Sequence, residues 1–175
     1  MPRVARIRAA ALDEQGQLTG YPLLHGKRQS RARYFDTGMS RENVELVRQM
    51  YDAWEKGDFS QHPEVWDPEV RSGRVMSADT DGVGLAGEWQ GLDGLVANVR
   101  LWLDAWQDLR VEATEFLDGG NTVVALTRQT GRALGSGLPL DREMADVWEI
   151  RDGRVIAVHF YWDRDIALAA AGLSA

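Results

Sequence analysis

The segment Glu143-Met-Ala-Asp-Val-Trp-Glu-Ile150 carries the clearest chemical signal in this chain. A strand period of two sets Met144, Asp146, Trp148 and Ile150 on one face, which makes Asp146 a lone carboxylate in an apolar row. Burial disfavours the charged form and raises the pKa unless a cation sits close. A carboxylic acid kept neutral in this way can donate a hydrogen bond to a carbonyl or an enolate. The alternative is structural: Asp146 pairs with Arg128 or Arg132 on the neighbouring strand, since ion pairs also perturb carboxylates. Tyr51 is the second candidate. It lies on the apolar stripe of a helix, and its hydroxyl needs a partner if buried, even if that partner is only backbone or water.

Other chemistries find little support. His25, His62 and His159 share no ligand spacing, and His159, on an alternating strand, reads as a surface or interface residue rather than a metal ligand or base. No HExxH, P-loop, GxSxG or GxGxxG pattern occurs. The chain has no cysteine, which excludes disulfides, thiolate nucleophiles and thiolate metal sites. No metal and no cofactor is implied.

The elements that must position Asp146 and Tyr51 can be read from periodicity. Ser40 reads as an N-cap, and Val44, Val47, Tyr51 and Trp54 form one apolar stripe of a helix that Gly57-Asp58 ends. Phe59 to Trp66 reads as a short second helix broken by Pro63, and Val70 to Met76 as a first strand. Ser77 to Gly87, rich in Ser, Asp and Gly, reads as a loop. Leu92 to Trp106 is a helix with Leu95, Val99, Trp102 and Trp106 on one face. The period then becomes two, with strands near 109–118, 121–132, 140–151 and 154–162. Asp118-Gly-Gly-Asn121 and Asp152-Gly153 are hairpin turns and Gly135-Ser-Gly137 a looser one, so these four strands form an antiparallel meander. Asp163 caps a last helix, Ile166 to Ala171. The expectation is an α+β domain: a curved antiparallel sheet wrapped around N-terminal helices, a cone-like barrel enclosing an apolar pocket. The other sheet face meets solvent or a second subunit.

Composition bounds this further. The chain of 175 residues can build one core without staples. Residues 1–38 hold seven basic and three acidic residues, a net +4, whereas residues 39–175 hold 13 and 24, a net −11. The first segment lacks periodicity and reads as an extension outside the domain 39–175, arising from an upstream translation start or forming an arm that lies on a partner subunit. The overall charge of −7 repels phosphate backbones, so nucleic acid is not expected as a partner. No apolar run reaches membrane-spanning length and none follows the basic N-terminus, so a cytoplasmic location is expected. Seven tryptophans point to a bulky core or an aromatic-lined cavity.

The order of elements, with Val47-Arg-Gln-Met-Tyr-Asp-Ala-Trp-Glu-Lys-Gly-Asp58 at the start and Ala145-Asp-Val-Trp-Glu-Ile-Arg-Asp-Gly-Arg-Val-Ile-Ala-Val-His-Phe-Tyr-Trp162 at the end, resembles the nuclear transport factor 2-like superfamily. Within it, the chain is most similar to the ketosteroid isomerase and SnoaL-like polyketide cyclase branch, over residues 40–172. The resemblance implies that Tyr51 and Asp146 match the two donors of the isomerases' oxyanion hole. Trp162 matches an aromatic position of their pocket. It also implies a homodimer through the outer sheet face. The isomerases' general-base aspartate has no counterpart, because Arg71-Ser-Gly-Arg74 stands in its place. Asp79, Asp81 or Glu88 could supply a base from the following segment, whereas in SnoaL-like cyclases a single aspartate serves as acid and base. Two functions follow. One is an isomerase, cyclase or dehydratase acting on a small apolar carbonyl compound, with Tyr51 and Asp146 catalytic and Trp54, Trp89, Met144, Trp148 and Trp162 binding substrate. The other is a non-catalytic ligand-binding or dimerisation module.

Overall fold

The computed structural model describes residues 11–12, 18–19, 37–59, 62–76 and 85–173. Helix α1 spans Thr37–Glu55 and buries Val47, Met50, Tyr51 and Trp54. It stops at Gly57, whose φ of +81° suits a residue without Cβ. There the amides of Gly57 and Asp58 return to the carbonyls of Trp54 and Ala53, closing the last turn. The helix begins earlier than the expected cap at Ser40. The Ser40 hydroxyl donates instead to Asp118, and Asn43 Nδ2 donates to the Gly120 carbonyl at 2.9 Å. The oxygen that looks like a local cap is thus a long-range tie between α1 and a distant turn.

Six strands form the sheet: β3 (Trp66–Val75), β4 (Gly87–Gln90), β5 (Trp106–Asp118), β6 (Thr122–Ala133), β7 (Pro139–Arg151) and β8 (Arg154–Tyr161). Their order is β4-β3-β8-β7-β6-β5. The meander β5 to β8 is antiparallel throughout, but β3 and β8 run parallel, so the sheet is mixed rather than wholly antiparallel as expected. Helix α2 (Gly91–Leu103) carries the chain from one edge strand, β4, to the other, β5. An even number of antiparallel strands then returns β8 beside β3 pointing the same way. The sheet stays open, with β4 and β5 as its edges. Register shifts in β3, β5 and at Glu149/Ile150 bend it.

Three local expectations change. The segment after Phe59 holds only a short 3₁₀ turn, Pro63–Val65, before β3 begins at Trp66. Gly87 opens strand β4 rather than closing a loop, and residues 77–84 of that segment lie outside the described residues. Trp106 opens β5 instead of ending α2, because the Ala105 carbonyl is captured by the Leu134 amide of the sheet. Residues 1–38 lie mostly outside the described residues. Among the described residues β1 (Ala11–Leu12) and β2 (Leu18–Thr19) of this segment pair only with each other.

The inner sheet face packs against α1 and α2 through Trp66, Trp148, Ile150, Val158 and Phe160. Strand β7 is buried on its other face as well. There Ala145 and Val147 lie under Ala167 and Leu168 of α3 (Arg164–Ala170), whose N-cap Asp163 accepts from the amides of Asp165 and Ile166. The chain's own last helix therefore covers part of the face expected to meet solvent or a partner.

Candidate functional site

Strand alternation turns Met144, Asp146, Trp148 and Ile150 inward, and all four are buried. Asp146 has no accessible surface and lies between Ala125 of β6 and Phe160 of β8. The Tyr51 hydroxyl, brought over by α1, donates to Asp146 Oδ2 at 2.5 Å. The Trp148 indole N–H in turn donates to the Tyr51 hydroxyl at 3.3 Å. Tyr51 is held edge-on by Trp54, Trp148 and Phe116, with ring centroids 5.0, 5.8 and 5.8 Å away. Asp146 Oδ1 has no protein partner among the described residues.

The same alternation in β3 turns Arg74 inward, where only 2 % of it is exposed. Its guanidinium lies over the rings of Trp102 (4.4 Å) and Phe160 (4.9 Å), and Nη2 donates to Asn98 Oδ1 at 3.1 Å. Gln129 of β6 accepts from the Trp102 indole at 3.0 Å. Arg74, Asp146, Gln129, Trp54, Trp102 and Phe160, with Phe59, Val99, Leu103 and Val111, line one cavity.

Burial sets the electrostatics. It pushes the Asp146 carboxyl up to about 7, against the opposing pull of the Tyr51 hydrogen bond and the Arg74 charge. Burial pushes Arg74 down to about 9, with the Asp146 charge acting the other way. Tyr51 is driven well above its ordinary value by burial and then by the neighbouring carboxylate. Near neutral pH the cavity wall therefore carries a cation, Arg74, and an acid, Asp146, close to half-ionisation, with Tyr51 holding the acid from outside the lining.

The cavity has a free volume of about 30 Å³ and is partly open to solvent. The tryptophans mostly fill the interior rather than lining an empty pocket. Of the residues assigned to substrate binding from the sequence, Trp54 lines the cavity. Trp148 lies behind Tyr51, its ring tilted against Trp66 with centroids 5.7 Å apart. Met144 and Trp162 join Met76, Leu85 and Leu140 in a neighbouring cluster that Trp102 links to the cavity. Trp89 packs over Gly87 and Gly94 and is not part of the lining.

The other candidates are dispersed. Arg128 pairs with Asp141 at 2.9 Å on the surface, and Arg132 is exposed, so neither is the partner of Asp146; the charge that acts on it is that of Arg74, with no ion pair between the two. Glu88 pairs with His159 at 3.3 Å away from the cavity lining, and His62 sits by Glu64 at 3.6 Å. Asp79, Asp81 and His25 lie outside the described residues. Arg74, Asn98, Trp102 and Gln129 escaped the sequence reading. For Arg74 the sequence holds a signal: Val70, Ser72 and Arg74 alternate in phase on β3.

The family model of the SnoaL-like domain matches residues 47–158. Solved structures share the fold. One is a nuclear transport factor 2-like protein of unknown function from Burkholderia pseudomallei (22% identity, 74% of this chain and 97% of that one, TM-score 0.59). A Jannaschia protein bearing the name of a SnoaL-like polyketide cyclase aligns at 21% identity over 82% of this chain and 96% of its own, TM-score 0.59. A Catenulispora acidiphila protein with a ketosteroid isomerase-like fold, in complex with trimethylamine, aligns at 16% over 74% and 93%, TM-score 0.52. No curated protein matches the chain. Among the described residues, no helix is long and apolar enough to cross a membrane.

Proposed function

The chain belongs to the SnoaL-like domain family, and on that premise we propose that its cavity handles a small carbonyl compound through an enol or enolate, with Asp146 carrying the proton. One observation supports this above the rest: a fully buried carboxyl on the cavity wall has one oxygen clamped by Tyr51 and the other without a partner. A carboxyl near half-ionisation can take a proton from the carbon beside a carbonyl and return it elsewhere. Return to another carbon gives an isomer. Attack of the enolate on a second carbonyl closes a ring, and loss of a β-hydroxyl gives a dehydration.

The geometry favours the single-aspartate scheme over a pair of oxyanion donors. The Tyr51 hydroxyl is committed to Asp146, so it positions the acid rather than reaching into the cavity. Trp148 holds Tyr51 in turn. Trimethylamine in the Catenulispora relative supports a cavity for small guests.

The test is deuterium exchange from solvent into the α-carbon of acetophenone and cyclohexanone, followed by NMR. Catalysed exchange should fall by roughly 10²-fold or more in Asp146→Asn. Equal exchange in the variant would overturn the assignment. A second reading, a non-catalytic ligand-binding module, rests on the absence of a second carboxylate or histidine among the described lining residues. Binding without exchange in the wild type would establish it.

A further inference from the structure

The catalytic reading above uses Asp146 and leaves Arg74 without a task. A buried guanidinium is costly unless it is paired and hydrogen-bonded. Structural arginines meet that cost with a carboxylate or several carbonyls. Among the described residues no carboxylate lies within ion-pair distance of Arg74. Its Nη2 meets the side-chain oxygen of Asn98, and its Nε has no partner. Trp102 and Phe160 cover the guanidinium plane, so its edge is what remains for the cavity.

We infer that the ligand of this cavity carries a carboxylate, which docks on the edge of Arg74. The inference rests on the same cavity as the catalytic reading and replaces a wholly apolar ligand with an acidic one. Arginine presents N–H donors in a planar fork that matches the two oxygens of a carboxylate. A tetrahedral phosphate would call for more donors than the edge of one arginine offers. Asn98 orients the fork, and the aromatic walls exclude the water that would screen the charge. Asp146 Oδ1, unpartnered on the same cavity wall, is left for the carbonyl end of the molecule.

Benzoate and benzamide share a shape and differ in charge, which makes them a matched pair of probes. Quenching of tryptophan fluorescence should show benzoate binding at least ~tenfold tighter than benzamide, the scale of one charge-assisted hydrogen bond. Arg74→Met should erase that preference, and Arg74→Lys should keep part of it; a melting curve of each variant reports folding. If Arg74→Met does not fold, the wild-type ratio and the lysine variant decide. Equal affinities in the wild type, no binding of benzoate, or an intact preference in folded Arg74→Met would each overturn the inference. Asp146→Asn separates it from the catalytic reading, because that variant should lose exchange at carbon while keeping the preference for benzoate.

Discussion

Tyr51 and Asp146, 95 positions apart in the chain, are joined by a hydrogen bond of 2.5 Å that ties α1 to the middle of β7. The bond fixes the acid's orientation and leaves its second oxygen without a hydrogen-bond partner among the described residues. The first two predictions follow from this arrangement.

Asp146 should make the protein less stable as pH rises. Its folded pKa, about 7, lies above the ordinary 3.8, so the folded state holds the proton more tightly than the unfolded chain. The stabilisation is complete below the unfolded value and is lost as pH climbs through the folded one. Arg74 titrates from about 9 upward, outside this window. Urea melts of wild type and Asp146→Asn at about pH 5 and about pH 8 should differ in their gap by roughly 3 kcal/mol, the variant gaining on the wild type at the higher pH. A pH-independent gap would contradict a raised acid.

Tyr51→Phe should fold but melt lower. The change removes the donor to Asp146 and the acceptor of the Trp148 indole, both buried. A loss of roughly 1–3 kcal/mol is expected, which calorimetry would read as a fall of several degrees. Without that hydroxyl the carboxyl loses a bond that favours its charged form, so its pKa should climb further. Carbon-13 NMR of labelled aspartate checks this; an unchanged titration would show that the bond does not tune the acid.

Removing residues 1–36 should leave the domain intact. Among the described residues strands β1 and β2 pair only with each other, and α1 starts at Thr37. The melting midpoint should stay within a few degrees of the full chain, as expected of a segment whose sequence lacks sustained periodicity. A large fall would assign the segment a structural role.

The protein should sediment as a dimer at micromolar concentration. Part of the outer sheet face lies under α3, with Tyr161 packed against that cluster and the half-buried His159 beside Tyr161 at 6.4 Å between ring centroids. The half-buried residues of this remaining face support self-association. A monomer alone in sedimentation velocity would refute it.

The sequence by itself determined the elements and their faces. Alternation along β7 marked Asp146 as an inward carboxylate. The stripe of α1 marked Tyr51 as buried. Asp152-Gly153, with φ of +51° and +73°, marked the β7–β8 hairpin. These signals are local, because side-chain direction follows from the period of the backbone and turns from the residues that tolerate positive φ.

Only the tertiary structure decided what meets Asp146. Arg74 approaches through the parallel pairing of β3 with β8, strands separated by most of the domain, and no local pattern records that pairing. The nearer arginines of the β6–β7 hairpin look like better partners in sequence. Arg128 instead finds Asp141 at the surface, where its charge stays hydrated. Likewise, tryptophan content announced bulk but not how it is used. Whether Trp148, Trp162 and Trp89 fill space or line it depends on how several helices and strands interlock, which is a property of packing rather than of any one segment.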